Sequence, residues 1–237
     1  MYSAGTVDSS SLFKRYSHSR RFDFAARLME AQPGSRLLDY GTGDGRMLSL
    51  LSEAQPGSEI WGFEPVGGMM GELTERFKNE GLADRVRIVG DPDALKGIGF
   101  DRICCLEVLE HLPAPVLVDA LCRMRDLLAP GARLVVSVPL ETGLSVIAKT
   151  VIRAIHGQTH PDTSFANIAR TFFGLPIDRS GDGNYHLGHV GFSFREIEKR
   201  FAETSFTIEN RFFSPIPVLG SLLNSQVFYT LSASSVA

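Results

Sequence analysis

The sequence has few cysteines, little excess charge and no long apolar run. Its 237 residues include only Cys104, Cys105 and Cys122. Their spacing does not match a metal-binding motif, so we expect reduced thiols, no zinc site and a cytoplasmic protein. No run reaches the roughly 18 apolar residues that a membrane-spanning helix needs. The opening residues show no apolar core with a small-residue cleavage site, so no secretory signal is predicted.

The charge balance also restricts the partners of this chain. The formal net charge is −3, whereas a general nucleic-acid binder usually carries a basic surface. We therefore expect no nucleic-acid partner. A hydrophobic content of 43% is ordinary for a soluble globular protein, and the length allows one sizeable domain with additions.

Strand and helix patterns alternate up to residue 140. The predicted strands are RLLDY, EIWGFEP, VRIVGD, FDRICCLEV and ARLVVSVP, and the predicted helices are His18–Ala31, Gly45–Glu53, Gly67–Asn79 and Pro113–Leu128. The strands are continuous apolar runs, which indicates a parallel sheet covered by helices on both faces. A further helix, SFREIEKRFAET, which Ser193 could cap, precedes two more strand patterns, FTIENRFF and QVFYTLS. Gly81 is placed to cap the helix Gly67–Asn79, and APG before the fifth strand is predicted to be a turn.

The pattern of predicted strands and helices divides the chain into three parts. Residues 1–34 form an N-terminal arm and lid helix, 35–140 with 193–237 form the core, and 141–192 form a helical insertion that we interpret as a substrate lid. In the insertion, GLSVIAKTVIRAIHG places apolar residues on one helical side and basic residues along its edge. Such a helix can pack on its own domain, cover an apolar substrate or contact a membrane surface.

A glycine-rich turn follows the first strand. Gly41, Gly43 and Gly45 stand where an open α/β sheet binds its ligands, beyond the carboxyl ends of the strands. The dinucleotide fingerprint requires a last small residue at the position that Arg46 occupies here. This mismatch argues against a nicotinamide oxidoreductase, although the glycines could also form a simple tight turn.

Three carboxylates end three successive strands. Asp39, Glu64 and Asp91 would repel a pyrophosphate, but they suit a cationic ligand that is rich in hydrogen-bond donors. Glu64 could bind a ribose diol and Asp91 an adenine amino group. Asp39 could help to hold an ammonium or sulfonium group through water or backbone. For Asp91, the DPD sequence is also an ordinary turn signal.

This combination resembles the class I S-adenosylmethionine-dependent methyltransferases over about residues 35–140 and 190–232. The matching segments are LLDYGTGDG, WGFEP, VGDPDAL, FDRICCLEVLEHL and LAPGARLVVSVP, in the family's order. LEHL and GHVGFSF are similar to the small-molecule and quinone-type subgroup. The resemblance implies a Rossmann-like, doubly wound α/β sheet of seven strands with the last antiparallel. It also implies S-adenosylmethionine as cofactor, S-adenosylhomocysteine as product, and methyl transfer to an O, N or C atom of a small-molecule acceptor.

The motifs and their neighbours give the predicted site. The predicted cofactor-binding residues are Asp39, Tyr40, Gly41, Thr42, Gly43, Gly45, Glu64, Pro65, Met69, Asp91, Pro92, Leu106 and Glu107. The predicted catalytic residues are His111 and His186, and the predicted substrate contacts are Tyr16, Arg20, Tyr185 and His189. A base is needed only if the acceptor must lose a proton.

The sequence leaves three alternatives open. Glu107, Glu110 and His111 do not form H-E-x-x-H, so no metal is predicted, and each histidine could be an ordinary hydrogen-bonded residue. The acceptor could be lipid-like or amphipathic, with peripheral membrane contact. The chain could also be a non-catalytic binding or scaffold protein that keeps the fold.

Overall fold

The computed structural model describes residues 21–140, 164–172, 177, 179, 185–186, 191–215, 220 and 224–234. Residues 1–20 of the predicted arm at 1–34 lie outside the described residues, and so does most of the predicted insertion at 141–192. The division into arm, core and lid therefore stays a prediction.

The described elements follow the predicted alternation closely. In chain order they are α1 (21–28), β1 (Arg36–Tyr40), α2 (Arg46–Ala54), β2 (Glu59–Phe63), α3 (Gly67–Asn79), β3 (Val86–Val89), β4 (Phe100–Leu106), α4 (Ala114–Leu127), β5 (Leu128–Pro139), α5 (Phe165–Phe172), α6 (Phe194–Glu203), β6 (Phe206–Ser214) and β7 (Gln226–Ala233). Short 3₁₀ turns occupy Pro92–Leu95 and Leu109–His111. β5 starts before the predicted strand and includes the predicted APG turn, whose Gly131 has φ 76°.

The strands form one seven-stranded sheet in the order β3-β2-β1-β4-β5-β7-β6. β1 pairs in parallel with β2 and β4, and β2 pairs in parallel with β3. β6 and β7 are antiparallel to each other. The predicted fold class, a doubly wound α/β sheet with an antiparallel last strand, is confirmed. The strand order reverses between β1 and β4, which makes the turn after β1 the expected ligand site.

The chain forms two compact units. The first comprises Met1–Cys105 and Asp126–Val135, and the second comprises Leu106–Arg125 and Val136–Ala237. The buried core of the first includes Leu37, Leu38, Met47, Leu48, Leu51, Ile60, Leu73 and Phe77. The core of the second includes Leu121, Met124, Val136, Val138, Phe201, Val227, Phe228 and Leu231. No helix within the described ranges is both long and apolar enough to cross a membrane.

Helix ends agree with the sequence in one case and differ in another. After α3, Gly81 adopts φ 71°, and Leu82 N–H donates to Phe77 O at 2.8 Å, so the predicted glycine cap forms. Ser193 occupies the position before α6, but its side chain makes no capping hydrogen bond. The predicted side-chain cap is therefore wrong, although the helix begins where it was expected.

The third glycine of the turn lies close against helix α3. Gly45 has φ 70°, and a Cβ placed there would come within 2.2 Å of Leu73 Cδ1 on α3. Gly43 also has a positive φ of 53°, but a Cβ there would meet no atom within 4 Å. A side chain would therefore strain the backbone at both positions, whereas it would meet a packed neighbour at Gly45 and open space at Gly43.

Substitution of Gly45 by alanine is expected to cost far more stability than the same change at Gly43. Both variants incur the left-handed penalty of about 1–2 kcal/mol, and Gly45→Ala adds overpacking of about 1–3 kcal/mol. Chemical denaturation of the two variants measures the difference. Equal losses would show that the contact of Gly45 with α3 is unimportant.

Candidate functional site

The turn after β1 is built by hydrogen bonds to the end of β2. Gly41 N–H and Thr42 N–H both donate to Phe63 O, at 2.9 and 3.1 Å, and the Thr42 hydroxyl donates to the same oxygen at 3.3 Å. Register pairs Tyr40 with Phe63 across the two strands. The glycine turn is therefore fixed at the carboxyl end of the sheet, where a ligand is expected.

Glu64 holds this turn from the neighbouring strand. The residue is 4% exposed, and its Oε2 accepts the Gly43 N–H at 2.9 Å while Oε1 accepts the Val66 N–H at 3.0 Å. An ionised carboxylate offers about four acceptor sites. Glu64 can therefore hold the turn and still accept hydrogen bonds from a ligand diol.

Asp39 is a buried carboxyl at the end of β1. It is 3% exposed, and Cys104 Sγ donates to its Oδ1 at 3.3 Å. Burial raises the pKa of Asp39 to about 7, the Cys104 hydrogen bond opposes this rise, and the negative charges of Asp44 and Glu64 add to it. A bound cation would favour the ionised form of this group.

Asp91 follows β3 at the same edge of the sheet. Its side chain is exposed, and Oδ1 accepts the Asp93 N–H at 2.9 Å, which caps the turn Pro92–Leu95. The turn that the DPD sequence indicates therefore forms. The second carboxylate oxygen is compatible with the predicted adenine contact, which stays a prediction.

The remaining predicted cofactor residues of the first unit stand at or just after the carboxyl ends of β1, β2 and β3. The Tyr40 ring is buried, with its centre 4.6 Å from that of Phe63. Met69 and Pro92 are half-buried, and Pro65 is exposed. Pro65 follows β2, Met69 lies in the first turn of α3 and Pro92 begins the short turn after β3, and their contacts with a cofactor stay predictions.

Leu106 and Glu107 belong to the second unit. Glu107 has φ 56°, which is rare for a residue other than glycine or asparagine and is typical of functional sites. Its N–H donates to Ser137 O at 3.0 Å, and the Ser137 hydroxyl donates to its Oε1 at 3.3 Å. The strained backbone is consistent with a functional role for Glu107, which stays a prediction.

Three of the predicted catalytic and substrate residues come together in the second unit. His111 Nδ1 lies 2.9 Å from His186 O, and His186 N–H donates to His111 O at 2.7 Å. The Tyr185 ring stacks on the His111 ring at 4.7 Å with 5° between planes. Tyr16, Arg20 and His189 lie outside the described residues.

This geometry fixes the tautomer of His111. A carbonyl oxygen can only accept, so Nδ1 carries the proton and, in the neutral ring, Nε2 carries the lone pair. Burial lowers the pKa of His111, the His186 carbonyl opposes this, and nearby Arg179 and His186 lower it further. Burial therefore favours the neutral ring of His111, with Glu110 Oε1 at 4.0 Å from Nε2. A lone pair on Nε2 is compatible with the predicted role of His111 as a base, which stays a prediction.

Three residues that lie beside predicted site residues were not themselves predicted to belong to the site. Cys104 was expected to be only a core thiol, yet it contacts Asp39. Arg179 donates to Glu110 O at 2.7 Å, and Glu110 itself is fully buried beside His111. The only signal for Cys104 is its register opposite Asp39, which requires the strand pairing to be known. Among the described residues, no cluster of His, Cys, Asp or Glu is arranged to hold a metal ion.

The fold and the carboxylate-framed glycine turn define the class of Rossmann-like methyltransferases. A family profile described as "Methyltransferase domain" matches residues 13–175. The chain belongs to this methyltransferase family, and S-adenosylmethionine is the cofactor of its class. The predicted resemblance is thus confirmed.

Several known proteins are similar to this chain. The ubiquinone biosynthesis O-methyltransferase of Xanthomonas campestris pv. campestris (strain B100) is 32% identical over 145 residues, which is 59% of each chain. The enzyme of the same name from Xylella fastidiosa (strain M23) is 32% identical over 156 residues, 61% of this chain and 60% of its own. The match therefore spans about three fifths of these curated relatives.

Solved structures share the fold. Magnesium protoporphyrin IX methyltransferase from Synechocystis PCC 6803, with bound SAH, aligns with a TM-score of 0.62 at 19% identity and covers 95% of this chain and 89% of its own. The cyclopropane synthase MmaA2 from Mycobacterium tuberculosis aligns with a TM-score of 0.61 at 16% identity, over 95% and 87%. At these identities the likeness concerns the fold alone.

Proposed function

We propose that this chain is an enzyme that transfers the methyl group of S-adenosylmethionine to a small-molecule acceptor. The observation that carries the proposal is the pair of buried carboxylates at the glycine turn, Asp39 and Glu64. Two carboxyl groups beside this turn favour a cationic nucleoside, whose charge promotes ionisation of Asp39, and disfavour a pyrophosphate. Family membership supports the same conclusion.

Each group of the first unit has a proposed role toward the cofactor. Glu64 accepts hydrogen bonds from the ribose diol, and Asp91 accepts one from the adenine amino group. Asp39 supplies negative charge for the cationic amino-acid part. Gly43 leaves open space for close approach, since no atom lies within 4 Å of its Cβ position. These assignments follow the chemistry of the groups and the predicted motif positions.

The reaction is an in-line displacement. A nucleophilic atom of the acceptor forms a bond to the methyl carbon, the sulfur–methyl bond breaks, and S-adenosylhomocysteine leaves with the electron pair. The sulfonium is already activated, so the protein mainly aligns the reactants. A neutral phenol must also lose its proton, which requires a base.

We infer that the acceptor is a hydroxylated aromatic compound. The curated relatives at 32% identity are named for O-methylation in ubiquinone biosynthesis, and a phenolic acceptor makes use of the lone pair on His111 Nε2. The proposal has further parts. The acceptor is amphipathic, residues 141–192 form a lid over it, and Tyr16, Arg20 and His189 contact it. The protein is cytoplasmic and makes peripheral contact with a membrane.

The proposal is tested by measuring S-adenosylhomocysteine release with catechol-type acceptors that carry polyprenyl chains of increasing length. We expect release only when both methyl donor and acceptor are present, and faster release with a longer apolar chain. Cofactor binding without transfer to any acceptor of this kind would favour the non-catalytic alternative. Binding of NADH in place of S-adenosylmethionine would favour an oxidoreductase.

His111→Gln is expected to lower kcat by about 10²–10⁴-fold, the usual contribution of a general base. The affinity for S-adenosylmethionine should stay unchanged, because His111 is assigned to the acceptor. Steady-state kinetics and calorimetry measure the two effects.

His186→Gln is the matched comparison. Its backbone carbonyl, which contacts His111, remains in the variant, so a much smaller loss is expected. A large loss in His186→Gln with an active His111→Gln would instead make His186 the base, which was the second catalytic prediction.

A further inference from the structure

We propose that Cys104 is a positioning residue for Asp39: its S–H group orients the Asp39 carboxyl and sets the pH range in which that carboxyl is charged to receive the cationic cofactor. This inference rests on the proposed function, because it concerns how the same site binds S-adenosylmethionine. It gives a specific role to a residue that otherwise resembles core packing.

Strand pairing enforces the contact. Asp39 on β1 stands opposite Cys104 on β4 in the parallel register, and Sγ lies 3.3 Å from Oδ1. Cys104 is fully buried and Asp39 is 3% exposed. The thiol is thus held against the carboxyl by the sheet itself.

When Asp39 is ionised, the direction of the hydrogen bond is fixed. Burial raises the pKa of the Cys104 thiol well above its usual value, and the nearby Asp39 raises it further. The sulfur therefore keeps its proton and acts as donor toward Oδ1. A thiol is a weak donor, so it stabilises the ionised carboxylate less than a hydroxyl would.

The surrounding charges explain why a weak donor has an effect on binding. Asp44 from the glycine turn and Glu64 from the end of β2 both act on Asp39 with negative charge. In the empty site these charges and burial favour the protonated carboxyl, and its pKa is about 7. When a cationic cofactor binds below this pH, Asp39 releases its proton to solvent. Binding therefore becomes tighter as pH rises, by up to tenfold per pH unit.

The test is calorimetric titration with S-adenosylmethionine between pH 5.5 and 9. For each variant, the midpoint is the pH at which the pH dependence of the affinity is half complete. Cys104→Ala removes the donor, so this midpoint should rise by about 0.7 of a pH unit, as expected for one hydrogen bond. The affinity near pH 7 should be about threefold to fivefold weaker. Cys104→Ser keeps a donor and should rescue binding, with a midpoint at or below that of the wild type.

Cys105→Ala is the matched control. It removes the same atoms from the next position of β4, where the side chain points to the opposite face of the sheet, so its midpoint should equal that of the wild type. A Cys104→Ala midpoint equal to those of wild type and Cys105→Ala would overturn the inference. A wild type that shows no binding at any pH would instead overturn the proposed function.

Infrared spectroscopy gives an independent readout that packing alone would not change. In the variant C105A/C122A, Cys104 is the only thiol. Its S–H stretching band should shift to lower frequency when S-adenosylmethionine binds, because the thiol then donates to an ionised carboxylate. An unchanged band in a variant that binds the cofactor would contradict the proposed role.

Discussion

Glu64→Gln is expected to weaken S-adenosylmethionine binding by about 100-fold or more. The glutamine amide has one acceptor oxygen, whereas Glu64 accepts the N–H groups of both Gly43 and Val66. The amide nitrogen would face one of these donors, and the charge offered to the ribose diol would be lost. Hydrogen bonds to a charged group are worth about 1.5–3 kcal/mol each, and two of them account for a loss of this size. Calorimetric titration measures it.

Glu59→Gln provides a stringent control for that result. Glu59 begins the same strand β2, and its half-exposed side chain pairs only with Arg36, at 3.4 Å among the described contacts. Exposed ion pairs contribute about 0–1 kcal/mol, so affinity should remain near that of the wild type. If both variants bound the cofactor equally well, Glu64 would have no role in the site.

Asp39→Asn is expected to stabilise the cofactor-free protein while weakening cofactor binding. The folded protein keeps a proton on Asp39 up to a pKa of about 7, whereas the unfolded chain releases it near 3.8. Between these values the free energy of unfolding falls as pH rises, since the folded state binds more protons. Three pH units correspond to about 4 kcal/mol, as an order of magnitude, and asparagine avoids this loss.

The stability advantage of Asp39→Asn over the wild type is expected to grow with pH. Asp39→Asn and the wild type should differ little below pH 4, and the variant should be more stable by about 2–4 kcal/mol above pH 7. Its affinity for S-adenosylmethionine should be weaker by about tenfold to a hundredfold and should no longer depend on pH. Denaturation curves and calorimetry at several pH values test both parts.

Asp101→Asn is the control for Asp39→Asn. Asp101 lies near the opposite end of β4 and accepts the Arg36 N–H at 2.8 Å, a bond that asparagine can keep. We expect neither a gain in stability at high pH nor a change in cofactor affinity. A wild-type stability that rises with pH in step with Asp39→Asn would show that Asp39 ionises freely in the folded protein.

The local parts of this structure could be predicted from sequence because they depend on short-range chemistry. Apolar runs gave the strands, and Gly67–Asn79 was predicted with its observed limits. Gly81 ended that helix as expected because a left-handed residue is needed there. The order of glycines and carboxylates then predicted a ligand site at the end of β1.

The contacts that tune the site could not be predicted in this way. The Asp39–Cys104 hydrogen bond joins residues 65 apart, and the His111–His186 contact joins residues 75 apart. Such pairs depend on strand register and loop packing, which periodicity does not determine. Sequence could propose His111 and His186 as alternative bases, whereas the structure shows the carbonyl of one orienting the ring of the other.

The most direct test of the central claim is a calorimetric titration of the wild-type protein with S-adenosylmethionine and, separately, with NADH. If the buried carboxylates at the ends of β1 and β2 frame a site for a cationic nucleoside, S-adenosylmethionine will bind at one site per chain with proton release below pH 7, and NADH will not bind. Saturable binding of NADH together with neither heat nor thermal stabilisation from S-adenosylmethionine would contradict the claim.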